Sequence, residues 1–357
     1  MKEGYSPNKF TAIYIALGVS VVLLFMVNLA YGAVSVPIGK VVEILFSSEL
    51  PSDSTYLAWN RIVMDFRLPQ AITALLCGAS LASGGLLLQT LFRNPLAGPS
   101  ILGISDGANL GVAIVMLYLG GSISLDTGAD SVLALSGYAA VVFAALVGAL
   151  TILGIIIYMS GRVKNNVMLL IVGIMIGYLA SSAISMLNFY ASADKVHSFV
   201  MWGMGSFSSV SMQKLPYFAL FSVIGLAGVV LLIKPLNALL LGEHYAANLG
   251  VRIKPVRVAI LLVTGMLTAS ATAFCGPVSF IGLAVPHIAR LILGTSNHKQ
   301  LVPVTILCGS AIALLCNMLT VFPGSSYVLP LSAVTPLIGA PVIIYVILNR
   351  KNIQYFN

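Results

Sequence analysis

The chain has 357 residues, of which 59% are hydrophobic and only 8% charged, with a mean hydropathy of +1.03. A soluble domain carries about 25% charged residues, so this composition cannot supply a water-facing surface. A single soluble core, a disordered chain and a nucleic-acid module are excluded, leaving an all-α polytopic membrane protein. Its formal charge of +8 reads as a record of topology, because cytoplasmic loops retain Lys and Arg.

Crossing about 30 Å of hydrocarbon at 1.5 Å per residue takes about 20 residues. Apolar runs of that order fall at 11–32, 68–91, 100–120, 132–158 and 167–190, then at 215–234, 257–275, 278–294, 301–321 and 333–348. These are ten predicted spans, with Cys275-Gly276-Pro277 barely separating the seventh from the eighth. Met1 to Phe10 is short and mixed, so no cleavable signal peptide is expected. The longest outer segment, 33–60, carries Val36, Ile38, Val41, Val42, Leu45 and Phe46 in the pattern of a short amphipathic surface helix. No linker interrupts the chain, and residues 1–357 read as one transmembrane domain.

An even number of spans puts both termini on one side. With the N-terminus inside, Lys2, Lys9, Arg93, Arg162, Lys164, Lys234, Arg252, Lys254, Arg257, Arg290, Lys299, Arg350 and Lys351 are inner, 13 of the 18 basic residues. Lys40, Arg61, Arg67, Lys195 and Lys214 are outer. The bias predicts N-in and C-in. Glu43, Glu49, Asp53, Asp65, Asp126, Asp130 and Asp194 fall outside and Glu3 and Glu243 inside, which agrees.

Covalent chemistry finds little footing. The chain has no GxxxxGK[ST] phosphate loop and no HExxH, and His197, His244, His287 and His298 are scattered over loops and span ends. Cys77, Cys275, Cys308 and Cys316 form no CxxC pair and read as small packing residues. No catalytic residue, metal site or bound cofactor is expected. A proton-coupled carrier typically holds several buried ionisable groups, and Asp106 is the one acid inside a predicted span. An energy supply from a separate nucleotide-hydrolysing subunit fits better.

Four segments carry information beyond hydropathy. Arg67-Leu68-Pro69-Gln70 opens the second span, with Pro69 suited to a first helical turn. Arg67 can meet an acidic partner there or snorkel to lipid phosphates. Gly84-Gly85 and Gln89 lead into Arg93-Asn94-Pro95-Leu96-Ala97-Gly98-Pro99, whose two prolines force an irregular inner turn before Gly103 and Ser105-Asp106-Gly107. Asp106 is either a cap on a broken helix or a ligand for substrate or ion. Gly276-Pro277, Gly282 and Pro286 make a matching interruption in the other half, with His287 and Arg290 near its inner end. Paired interruptions point to a pathway built from discontinuous helices, with Asn94, Pro95, Gly103, Asp106, Gly276, Pro277, Gly282 and Pro286 as candidates. Finally, Gly242-Glu243-His244-Tyr245-Ala246-Ala247-Asn248-Leu249-Gly250, within an inner loop of about 235–257, reads as a short exposed helix with Tyr245 and Leu249 at i, i+4. A partly apolar helix in water needs a covering surface: the membrane, or a groove in a partner.

In order, RLPQ at 67–70, RNPLAGP at 93–99, ILGISDGA at 101–108, MWGMGS at 201–206, LGEHYAANLGV at 241–251, GPVSFIGLAVPHIAR at 276–290 and LIGAP at 337–341 resemble the FecCD-type permeases of ABC importers for iron chelates, haem and cobalamin. The resemblance implies a homodimer in the bacterial inner (plasma) membrane, with a pathway along the two-fold axis. It implies two cytoplasmic ATPase subunits using ATP and Mg, and an extracytoplasmic substrate-binding protein. In that picture Gly242, Glu243, Ala246, Leu249 and Gly250 belong to the coupling helix that docks in the ATPase. Arg67, with Arg61 as a neighbour, stands where relatives' arginines meet acidic residues of the binding protein. Four positions depart from the family pattern: Gln70 replaces an Arg, Asn317 an Asp, Val321 an Arg and Val328 a Glu. The departures predict docking that leans little on salt bridges. The alternative function is an ion-coupled secondary transporter working through Asp106.

Overall fold

The computed structural model describes residues 7–46, 54–119, 131–163, 166–321, 324 and 327–348. Of the charges used for topology, Lys2, Glu3, Glu49, Asp53, Asp126, Asp130, Lys164, Arg350 and Lys351 lie outside the described residues. Helices account for the fold, and the described residues contain one isolated antiparallel bridge, Val321 with Val328.

Each apolar run has become a helix or a broken helix. α1 (Pro7–Ala30) is followed by α2 (Ile38–Phe46), α3 (Ser54–Arg61), a π-helical turn Ile62–Arg67 and α4 (Leu68–Phe92). A 3-10 turn Pro99–Leu102 leads into α5 (Ile104–Ala113), which ends in a second π-helical turn, Ile114–Tyr118. α6 (Ser131–Arg162) and α7 (Asn166–Tyr190) are long, and α8 (Ala193–Gly203) is short. α9 (Leu215–Leu231) bends by 50° into α10 (Ile233–Leu240), and α11 (Glu243–Asn248) precedes α12 (Ile253–Cys275). α13 (Ile281–Leu293), α14 (His298–Thr320) and α15 (Leu331–Leu348) complete the order.

Among the described residues six helices are long and apolar enough to cross a membrane, or seven if the bent α9–α10 pair is one span. The predicted eighth span holds a shorter helix than expected. α13 has 13 residues, about 20 Å of helix at 1.5 Å each, roughly two thirds of the hydrocarbon thickness. The run at 100–120 is likewise a composite of 3-10, α and π turns rather than one helix. The amphipathic outer segment is present as α2, which buries Val41 and Ile44, packs on α1 and leaves Phe46 exposed.

α4 is the central post. Twenty of its residues are buried, and it packs against α9, α12, α13 and α14. Lipid tails are as apolar as leucine, so helices associate by close backbone approach and van der Waals contact. Small residues provide that approach here. A Cβ added to Gly85 would overlap the Gly282 carbonyl of α13, and one added to Gly78 would overlap the Gly309 carbonyl of α14. Gly85→Val therefore destabilises the protein by about 1–3 kcal/mol or more, the usual cost of overpacking. Gly18→Ala, where the new methyl meets nothing within 4 Å, does not. Thermal unfolding of the purified protein in detergent distinguishes the two.

Candidate functional site

The two interrupted stretches meet in the middle of the bundle. α4 closes on Arg93 in the left-handed conformation (φ 46°), with the Asn94 N–H donating to the Gln89 carbonyl, which stops the helix cleanly. Asn94 Oδ1 then accepts from Leu96 N–H at 2.9 Å, holding the turn that begins the return. The chain comes back into the bundle far enough for Pro99 to lie beside Gly84 and Gly282. Gly103, at φ 74°, restarts the helix, and a Cβ there would stand 3.0 Å from the Gly173 carbonyl of α7. Asp106 sits in the first turn of α5, close against Gly177 of α7.

On the other side α12 ends at Cys275, and Gly276 turns the chain at φ 73°. The MWGMGS segment cradles this turn. The Ser206 N–H donates to the Cys275 carbonyl at 2.8 Å, and a Cβ on Gly276 would come within 2.7 Å of the Trp202 carbonyl. Phe280 takes a left-handed φ of 65° immediately before α13, where its ring packs on Gly339 of α15. α13 begins beside Leu81 and Gly85 at mid-helix on α4, carries Pro286 inside it, and ends on left-handed Gly294. Asn94, Pro95 and Gly103 thus belong to one interruption, and Gly276, Pro277, Gly282 and Pro286 to the other, with Pro99 against Gly282 where they touch.

The short exposed helix is also present. Gly242 (φ 105°) and Gly250 (φ 85°) bracket α11, and both glycines have backbone conformations that L side chains rarely adopt. Ala246 is fully buried, whereas Tyr245 and Leu249 are 53% and 59% exposed. α11 is held at its base rather than floating. Glu243 bonds Arg257 of α12 at 2.8 Å, and Arg257 also donates to the Ser160 carbonyl at the end of α6. A Cβ on Gly242 would lie 3.6 Å from the Arg93 guanidinium, so the 93–99 turn and α11 are neighbours.

The opposite end tells a different story about Arg67. Its guanidinium, 8% exposed, donates to the carbonyls of Leu29 and Ala30 at 2.9 Å each and to that of Val34. Those first two carbonyls close the α1 C-terminus, where a cation and its donors are favourable. Three of the Arg67 N–H donors are thus engaged within the chain, and its guanidinium helps hold the end of α1. Arg61 is exposed on α3 and remains available. The departures from the family pattern are paired in space. Gln70 donates to Asn317 Oδ1 at 2.9 Å, Asn317 donates to Asn28 Oδ1 at 2.8 Å, and Val321 faces Val328 across the isolated bridge. Single-sequence reading could not see these pairs, since 247 positions separate Gln70 from Asn317.

The FecCD transport family profile matches residues 20–349. The chain belongs to the FecCD transport family. It is 34% identical over 290 residues to the vitamin B12 import system permease protein BtuC of Klebsiella pneumoniae, covering 81% of this chain and 83% of that one. It is 29% identical over 337 residues to the molybdate import system permease protein MolB of Haemophilus influenzae, covering 94% and 95%. A solved structure described as an inward-facing ABC transporter of metal-chelate type superposes with a TM-score of 0.79 at 28% identity, covering 96% of this chain and 99% of that one. The protein is a multi-pass inner-membrane permease subunit of an ABC importer, a family that works with ATPase and substrate-binding subunits. Membership replaces the ion-coupled alternative.

The Arg67 geometry gives a sharp expectation. Arg67→Ala strips charge-assisted bonds from buried carbonyls, worth about 1.5–3 kcal/mol apiece before relaxation, and lowers the thermal midpoint of the isolated permease. A purely docking arginine would leave that midpoint unchanged.

Proposed function

We propose that this permease is built of ten membrane-traversing segments with both termini cytoplasmic, that it pairs with a second copy of itself, and that it imports a metal chelate. The ten apolar runs, the inner bias of Lys and Arg and the two mid-bundle interruptions support that arrangement. The cargo class we favour is an iron-siderophore, haem or cobalamin-type chelate. Its support is the family and the metal-chelate description of a similar structure.

The observation that carries the reading is α11. Its two exposed apolar side chains rise from a base pinned by Glu243–Arg257 and the buried Ala246. That is a rigid two-point projection suited to the groove of a cytoplasmic ATPase, which binds ATP and Mg itself. Gly242, Glu243, Ala246, Leu249 and Gly250 divide the work. The two glycines set the turns, Glu243 and Ala246 hold the base, and Leu249 with Tyr245 makes the contact. Alternating access then follows from ATP-driven movement of α11 relative to the bundle.

At the far end, docking of the substrate-binding protein draws on few arginines. Arg67 is committed to α1, and the paired positions at 70/317 and 321/328 are neutral. Exposed Arg61 is the candidate cation there.

Two outcomes are expected. Leu249→Asp places a charge where an apolar side chain is 59% exposed, so the permease still folds, while co-purification of its ATPase from mild detergent is lost. Retention of the ATPase at the wild-type level would refute the coupling role. Binding-protein affinity, measured on reconstituted permease, changes by less than about threefold between low and physiological salt. A steep decline would place salt bridges at the centre of docking.

A further inference from the structure

Five polar side chains at the α11 end of the bundle are almost completely withdrawn from solvent. Gln89, His287 and His298 are 0% exposed, Thr90 is 1% and Arg290 is 5%. Burying such groups is costly unless their hydrogen bonds are made, and here most are made to one another and to broken-helix backbone. Gln89 and Thr90 are consecutive residues in the last turn of α4, and each anchors a chain of bonds.

From Gln89 the chain runs to α13. Arg290 donates to Gln89 Oε1 at 2.6 Å, and Gln89 Nε2 donates to the Leu283 carbonyl at 3.1 Å. His287 Nε2 lies 2.7 Å from the Pro95 carbonyl, which can only accept, so that nitrogen carries a proton. The half-length helix is thereby locked to both α4 and the 93–99 turn. From Thr90 the chain runs the other way. Thr90 Oγ1 is 2.8 Å from His298 Nε2, and His298 Nδ1 and its backbone N–H both donate to Asn237 Oδ1, at 2.9 and 2.8 Å. Asn237 Nδ2 then donates to Asn297 Oδ1 at 3.1 Å, the same oxygen that caps α14 through the Lys299 N–H. Asn237 belongs to α10, whose other inward residues, Leu236 and Leu239, are buried and apolar.

Apolar contacts are non-directional and let helices slide, whereas these bonds are directional and fix one register. α10 runs through Leu241 straight into Gly242 and α11. We propose that Asn237, His298 and Thr90 are the positioning residues that carry displacement of α11 through α10 to the end of α4, and so to α13 and the 93–99 turn beside the broken-helix contact. The proposal rests on the reading of α11 as the ATPase-docking helix.

The test is amide hydrogen exchange, read by mass spectrometry, on the permease purified with its own ATPase and placed in nanodiscs. It compares the complex alone with the complex in MgATP and vanadate. Wild type is expected to change exchange both nearby, at 233–250, and at a distance, at 93–103 and 281–290. Asn237→Leu and Thr90→Val break the link from opposite ends without changing side-chain bulk greatly. Each is expected to keep the nearby change and to lose at least half of the distant one. Asn237→Asp keeps the oxygen facing His298 and retains the distant response, which also serves if Asn237→Leu fails to fold. Full distant responses in both link-breaking variants would overturn the proposal. So would loss of the nearby and distant changes together in variants whose ATPase remains bound and active, because the residues would then be structural. Failure of the wild-type permease to bring down any ATPase would instead refute the coupling role of α11.

Discussion

Hydrocarbon offers no partner to a peptide N–H or carbonyl, and this constraint governs the whole molecule. Irregular backbone at membrane depth is tolerated only where protein covers it. Here one such stretch, 93–103, is placed against the start of α13, which the other, 276–280, leads into, with Pro99 on Gly282 and Gly282 on Gly85 of α4. The surrounding architecture provides that cover. α4 is buried along nearly its full length, the MWGMGS segment closes over Gly276, and α7 closes over Gly103. In the transport cycle proposed above, these shielded discontinuous helices are the backbone that rearranges.

Buried side-chain hydrogen bonds join separate helices at both ends of the bundle. At the Arg67 end, side chains satisfy leftover carbonyls and one another, as in the Arg67 clamp on α1 and the Gln70–Asn317–Asn28 amide chain. The clamp leaves so little room that a Cβ on Gly32 would fall 3.0 Å from the guanidinium carbon. These contacts hold a fixed platform. At the α11 end, buried polar groups likewise join separate elements, tying α10, α13 and α14 to the central post α4.

The sequence disclosed hydropathy and interruption well, because both are local properties. Apolar runs, the Asn94-Pro95 and Gly276-Pro277 breaks, and the glycine-bracketed helix at 243–248 are all visible within short windows. The length of α13 was not, since Val278 to Phe280 continues the apolar run without a Gly or Pro of its own, and only the left-handed Phe280 places its start at Ile281. Arg67 was seen as a mouth residue, yet its partners lie 33 to 38 positions upstream. Likewise Asn237 and His298 carried no motif; their meeting depends on the 50° bend that turns α10 under α14. Properties that depend on distant chain contacts need the fold.

The central claim is that the two interruptions line a route opened alternately to either side of the membrane. Its most direct test uses single cysteines at half-buried Ser105 and Ser279 in a background without the native cysteines, in membranes holding the complete transporter. Reactivity toward a membrane-impermeant maleimide is measured from each side, with and without MgATP and vanadate. The account predicts that nucleotide switches the side from which both positions react. Cysteines that react from neither side in either state, in a transporter that still hydrolyses ATP, would contradict it and reduce the contact to packing.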